Sequence, residues 1–134
     1  MANAIYPKFK EAAFKGAANV DLTGGTIKVS LVDLADYAYS ASHQYISDVP
    51  GAARVATATL SGMTMVNGLF DANDVTFVGV TGDQSEALII WKDTGVEATS
   101  RLICYLDTGV TGLPITPSGG DIAIAWNASG IFQD

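Results

Sequence analysis

At 134 residues the chain suits a single domain that can bury a core without metals or disulfides. It is 49% hydrophobic but only 16% charged, with a formal net charge of −7, whereas a typical soluble domain carries roughly 25% charged residues. The acidity excludes nonspecific binding to nucleic acid or anionic membrane, which needs clustered Lys and Arg. The scarcity of charge points to a surface partly covered by another subunit.

The N-terminus, MANAIYPKFKE, lacks the apolar core of a signal peptide. No run of 18 apolar residues exists to span a membrane. A helix is expected from about Pro7, whose missing N–H costs nothing in a first turn. Ile5, Phe9 and Ala12 or Ala13 share one face of it, with Phe14 close by, and Gly16 is the stop. The first four residues read as an arm. Lys8, Lys10 and Lys15 make this the one locally basic segment, and charges so spaced are ordinary on an exposed helix face.

Beyond residue 20 the pattern is β. In TGGTIKVSLVD, Ile27, Val29 and Leu31 alternate with Thr26, Lys28 and Ser30, the period-two signature of a strand buried on one face. In the stretch LADYAYSASHQYISDVPGA, Ser40 or Ser42 is placed to cap a short second helix carrying Tyr45, Ile46 and Val49, which Pro50 would end. Further strands are expected over 54–60, 63–66, 75–80, 87–93, 101–107 and 122–127. Asn67-Gly68 is a strong turn signal, and TGDQ, TGLP and TPSGGD are turn chemistry too. The fold class is therefore mainly β: an antiparallel sandwich or barrel with an N-terminal α-helix and a short second helix. Residues 1–134 form one domain, with arm and helix over 1–18 and the β domain over 19–134.

Two Asp-Thr-Gly triplets, at Asp93 and Asp107, carry the signature of aspartic proteases. That chemistry needs two carboxylates sharing a proton. A hairpin of 87–93 with 101–107 sets Asp93 opposite Leu102 and Asp107 opposite Leu88. The aspartates are then about 17 Å apart at a rise of about 3.4 Å per residue, so the triplets read as strand-ending turns. His43, the one histidine, falls in the expected short helix with no G-x-S-x-G elbow in the chain, and is read as structural. Cys104, the one cysteine, sits in an apolar run as a core residue, and no intramolecular disulfide is possible. Asp71, Asn73 and Asp74 offer hard oxygen ligands but lack the glycine and distal glutamate of a calcium loop. They read as a turn, with opportunistic Ca²⁺ binding the alternative. Asn127-Ala128-Ser129 matches a glycosylation sequon and is read as incidental. No cofactor or metal is expected.

Trp126 and its neighbours Ile122 and Ile124 read as core. The loop DYAYSASHQY is richer in tyrosine than a solvated loop requires, and tyrosines in polar loops suit interfaces. The candidate interface residues are therefore Tyr6, Lys8, Phe9, Lys10 and Lys15 at the N-terminus, with Tyr37, Tyr39 and Tyr45 in the loop.

The order of segments carries a further signal. NAIYPKFKEAAFKG, VDLTGGTIKVSLVD, YSASHQYISDVP, ARVATATLSGMTM, NGLFDANDVTF, EALIIWKDTGVEATSRLICYLDTG and GLPITPSGGDIAIAWN together resemble a family of small proteins from the structural gene clusters of tailed bacteriophages. The resemblance spans nearly the whole chain and contains no motif that sets a role. It implies a non-enzymatic virion structural protein, made in the host bacterial cytoplasm and located in the virion, most often a capsid decoration (cement) protein. A tail, baseplate or fibre-associated protein with a host-binding or adaptor role is the alternative. The implied partners are the major capsid protein, copies of the chain itself, or both. Decoration proteins in general suggest a trimer. The N-terminal helix with its three lysines is the first candidate for the lattice-facing surface, and residues 36–50 are the second.

Overall fold

In the computed structural model, which describes residues 3–133, the chain is mainly β, with one α-helix and antiparallel pairing throughout. Among the described residues ten strands are formed: β1 (Ala4–Ile5), β2 (Thr26–Val32), β3 (Arg54–Thr59), β4 (Thr64–Val66), β5 (Leu69–Asp71), β6 (Val75–Phe77), β7 (Ala87–Asp93), β8 (Leu102–Leu106), β9 (Ile122–Ile124) and β10 (Phe132–Gln133). The helix α1 spans Pro7–Phe14. The largest sheet has the order β1-β8-β7-β2-β3; smaller sheets are β10-β5-β4 and β6-β9, and β3 packs against β6. The sheets are open.

The strongest sequence signals set the centre. β7 and β8 lie inside the large sheet and are buried on both faces, so Leu88, Ile89, Ile90 and Leu102–Cys104 are wholly inaccessible. One cluster of buried side chains draws on every sheet, including Ile27 and Val29 of β2, Phe70 of β5, Phe77 of β6 and Ile124 of β9. Burying such aliphatic and aromatic groups supplies roughly 1.5–3 kcal/mol each.

The helix begins at Pro7 as expected and closes where Gly16 takes a φ of +67°. Phe9 and Ala12 are its buried residues. Asn67 and Gly68, at φ of +53° and +77°, turn β4 into β5.

Several expectations need correction. Met1 and Ala2 of the expected arm lie outside the described residues, but Ala4 and Ile5 pair with Tyr105 and Cys104 as an edge strand. The Asn3 side chain pins that strand by accepting the N–H groups of Asp107 and Thr108. The second helix is replaced by two single 3₁₀ turns, Ile46–Asp48 and Gly51–Ala53. Its backbone is engaged elsewhere: Leu102 donates to the Gln44 carbonyl and Ile46 donates to the Ser100 carbonyl, which holds 44–46 against the start of β8. The turn is capped by the Asp48 carboxylate, which accepts from Gln44 and Tyr45, and neither Ser40 nor Ser42 takes part. The strands expected over 75–80 and 122–127 stop at Phe77 and Ile124. Gly79 (φ +60°) breaks the first.

The β7–β8 register also differs from expectation. Leu88 faces Leu106, and after a bulge at Ile90/Trp91 Trp91 faces Leu102. Alternation sets register only where one face is wet, and these strands are buried on both. Ser30, expected on the open face of β2, is fully buried, because its hydroxyl accepts the Trp91 indole N–H at 3.0 Å and bonds Thr57 Oγ1 at 2.8 Å.

Candidate functional site

The registers place two ends on the large sheet. At one end Val32 pairs with Ala87 and Leu88 with Leu106; at the other Thr26 pairs with Asp93 and Trp91 with Leu102. Asp107 follows β8 at the first end and Asp93 ends β7 at the other. Six residues of strand separate them, about 20 Å at about 3.4 Å per residue. The two Asp-Thr-Gly triplets therefore cannot form a carboxylate dyad within one chain. Each is a turn: Asp93 Oδ1 accepts the Gly95 N–H at 2.8 Å with Gly95 at φ +88°, and Gly109 is at φ +72°. The Gly95 N–H, with Lys28 3.0 Å away, holds the Asp93 carboxyl below the usual carboxylate range.

Tyr37, Tyr39 and His43 build a side-chain network with Tyr6 and Tyr105. Tyr6 and Tyr37 share a hydroxyl–hydroxyl hydrogen bond of 2.8 Å, and the Tyr37 hydroxyl bonds His43 Nδ1 at 2.8 Å. The Tyr39 ring lies 5.1 Å from Tyr6 and 5.4 Å from Tyr105, and the Tyr105 hydroxyl donates to Asp107 Oδ2 at 3.1 Å. Burial pushes the Tyr37 hydroxyl up to about 12. Burial also raises Tyr6, reinforced by its bond to Tyr37, and Tyr105, reinforced by Asp107. These hydroxyls stay protonated across the physiological range, as bonds that hold the loop rather than nucleophiles. His43 lies in this loop, half-buried, and not in a helix. Cys104 is wholly buried in β8, and burial raises its thiol.

Among the proposed interface residues, Tyr6, Phe9 and Tyr37 are 0%, 6% and 5% exposed. They pack inside the chain, because their apolar rings complete the core beside β8, and they present no surface to a partner. Lys8, Lys10, Tyr39 and Tyr45 are half-buried, and Lys15 is exposed. The Tyr45 ring carries the Arg101 guanidinium 5.6 Å from its centroid. The sequence pattern sets Phe14 beside the buried face of the helix and does not single it out as a contact residue. In the fold its ring ends α1 83% exposed beside Lys15. The five-residue step from Phe9, which carries it well round the helix, is the only local sign.

The oxygens of the stretch 71–74 serve separate bonds. Asp71 Oδ1 accepts from Ala72, Asn73 Nδ2 donates to Ser61 Oγ, and Asp74 Oδ1 accepts the Trp126 N–H. Among the described residues the carboxylates that do converge are Asp33, Asp36 and Asp83, whose oxygens lie within 4.8 Å of one another at the Val32/Ala87 end. Nearby, Glu86 Oε1 accepts the Leu34 N–H at 2.9 Å.

Cations gather at the opposite end. Lys8, Lys15 and Arg101 line one shallow surface with Glu11, which pairs with Lys8 at 3.4 Å and with Lys15 at 3.0 Å. Arg101 Nε also donates to the Ala18 carbonyl; Lys28 pairs with Asp93, Arg54 with Glu97, and the buried Lys92 with the carbonyls of Asp21 and Gly24. No helix among the described residues is long and apolar enough to cross a membrane. No family model matches the chain, and no curated protein matches it significantly.

Proposed function

We propose that this chain is a non-enzymatic structural protein of a tailed-phage virion, and that it decorates and stabilises the capsid shell. The observation that carries the reading is the outer face of α1. Phe14 is 83% exposed beside Lys15, at the end of the large sheet where Lys8, Lys15 and Arg101 line one surface with Glu11. A large exposed aromatic set among cations is a contact surface in search of an acidic, partly apolar partner. The non-catalytic part of the reading is supported by the separation of Asp93 from Asp107 and by the bond that ties His43 to Tyr37. We further propose that the large sheet and the smaller sheets stack as the two layers of an open sandwich. Support comes from the single core cluster to which all of them contribute.

A decoration protein works by mass action, since binding only the assembled shell stabilises it, and repeated weak contacts over a lattice raise avidity. The test is the position of the chain in a reconstruction of the particle. Copies distributed over the shell support decoration. Copies confined to the tail overturn it in favour of a baseplate or fibre-associated role. Because Tyr6 and Phe9 belong to the core, truncating the N-terminus would confuse unfolding with lost binding. The informative variant is Lys8→Glu/Lys15→Glu, which should weaken shell binding while leaving the fold intact.

A further inference from the structure

We propose that Asn67 is a site of spontaneous covalent modification, at which its side-chain amide is lost through attack by the Gly68 backbone nitrogen. Of Asn3, Asn19, Asn67, Asn73 and Asn127, only Asn67 precedes a glycine. Glycine has no Cβ to shield its nitrogen from the preceding side chain. The pair makes the two-residue connection between β4 and β5, at φ of +53° and +77°, a type I′ turn flanked by the paired Val66 and Leu69. Among the described residues no group accepts the Gly68 N–H, and none bonds the Asn67 side-chain amide. The main-chain carbonyl of Asn67 accepts from Gln133 Nε2 at a long 3.5 Å.

The fold leaves this turn open to water. Asn67 is exposed, as are Thr64, Met65 and Val66 of β4. β4 is three residues long, lies at the edge of its sheet and pairs with β5 alone. A short edge hairpin with little buried surface opens at low cost, which frees the turn to bring the nitrogen onto the side-chain carbonyl. The other asparagines are held or shielded. Asn3 Oδ1 accepts the N–H groups of Asp107 and Thr108, Asn73 Nδ2 donates to Ser61 Oγ, and Asn127 Oδ1 accepts the Ser129 N–H. Asn19 precedes Val20, whose β-branched side chain crowds the nitrogen.

The Gly68 nitrogen gives its proton to hydroxide and bonds to Cγ of Asn67. The Cγ–Nδ2 bond breaks, and the nitrogen leaves as ammonia after taking a proton from water. The cyclic imide that results is opened by water at either carbonyl. Opening at Cγ leaves aspartate, and opening at the main-chain carbonyl carbon leaves isoaspartate. Water is the only co-reactant. Aspartate tolerates the positive φ of this position, whereas isoaspartate adds a methylene to the main chain and lengthens a two-residue turn. Both place a new carboxylate at a groove of about 230 Å³ that Gly68 lines with Phe14, Met65 and Phe132. The inference concerns this turn alone and does not depend on what the protein coats.

The test incubates the purified full chain in mildly alkaline buffer, followed by digestion, mass spectrometry and enzymatic labelling of isoaspartate. The peptide that contains Asn67 should gain the mass of an amide turned into an acid before any other asparagine does. Isoaspartate should be the larger product, and the rate should rise in proportion to hydroxide. Asn67→Gly, which suits the positive φ of the turn, should stay folded by circular dichroism and lose this product entirely. A folded wild type in which Asn67 stays intact while the urea-unfolded chain converts overturns the inference, because the fold then shields the site. So does conversion to aspartate without isoaspartate, which means direct hydrolysis with no cyclic imide.

Discussion

The hydroxyl of Tyr6 lies 2.8 Å from that of Tyr37, 31 residues further along the chain, and both side chains are buried. This bond, continued to His43 Nδ1, fastens the long connection after β2 to the turn between β1 and α1. Removing the Tyr37 hydroxyl leaves two partners without their bond, while removing that of Tyr6 leaves Tyr37 still bonded to His43. Tyr37→Phe should therefore cost about 1–3 kcal/mol and Tyr6→Phe less. The double variant should cost less than the sum, as expected of side chains in direct contact. Urea denaturation of the three variants measures this, and strict additivity would show that the bond carries no coupling.

The same pair sets an alkaline limit. The folded Tyr37 hydroxyl is raised to about 12 by burial, against about 10 in an unfolded chain. Its contribution is fully present below pH 10 and is lost as pH rises toward 12, because the unfolded chain gives up its proton first. Stability should fall across that window by up to about 1.4 kcal/mol per pH unit for each such tyrosine. Tyrosinate absorbance from Tyr6 and Tyr37 should appear together with the loss of β-sheet circular dichroism. Ionisation of all five tyrosines with the fold intact would contradict the assignment.

At the acid side the sign reverses. Burial works to raise the Asp48 carboxyl, but the N–H groups of Gln44 and Tyr45 outweigh it and hold it low. Asp93 is held low by the Gly95 N–H and by Lys28. Each contributes stability above its unfolded value of about 3.9, and that stability is lost as pH falls through the lower folded value. In Asp48→Asn/Asp93→Asn the decline of the urea midpoint below pH 4 should be shallower than in the wild type. An unchanged slope would place the acid sensitivity elsewhere.

Lys92, 8% exposed, reaches from β7 to the carbonyls of Asp21 and Gly24 at 2.5 and 2.7 Å. Hydrogen bonds from a charged donor are worth about 1.5–3 kcal/mol, and their loss would leave the 21–25 loop without its anchor. Lys92→Met keeps the stem and should cost about 1–3 kcal/mol. Hydrogen exchange should quicken at residues 21–25 more than in β8. Uniform acceleration would mean that the loss is global and not local to the loop.

The two phenylalanines of α1 separate core from contact surface. Phe9→Ala should cost about 3–5 kcal/mol, as for a buried ring whose cavity cannot collapse. Phe14→Ser should change stability by no more than about 0.5 kcal/mol. Thermal unfolding of the two variants distinguishes them, and a large loss at Phe14 would show that its ring is packed within the monomer.

Elements with dense local signals are legible in the sequence. The apolar run over 87–93 predicts β7 and β7 forms there, because such a run bounded by turn residues has few alternatives. Pro7 and Gly16 similarly mark α1. The segment after Ser40 misleads because Tyr45, Ile46 and Val49 mimic a helical spacing, while the backbone hydrogen bonds of 44–46 go to Ser100 and Leu102. Tyr6, Phe9 and Tyr37 resemble interface residues for a related reason: the groups that cover them come from distant parts of the chain. The acidic end is illegible because Asp33 and Asp83 are fifty residues apart and meet only once β2 pairs with β7.

The sequence by itself determined the mainly β class, the place of the helix, the two strands at the centre of the large sheet, and the reading of both Asp-Thr-Gly triplets as turns. These follow from periodicity, turn chemistry and spacing, which act over a few residues. Tertiary structure alone decided the β7–β8 register, the burial of Tyr6 and Tyr37, and the convergence of Asp33, Asp36 and Asp83 at one end of the large sheet. Strands buried on both faces carry no alternation to set their pairing, and a side chain's exposure depends on what the rest of the chain lays over it.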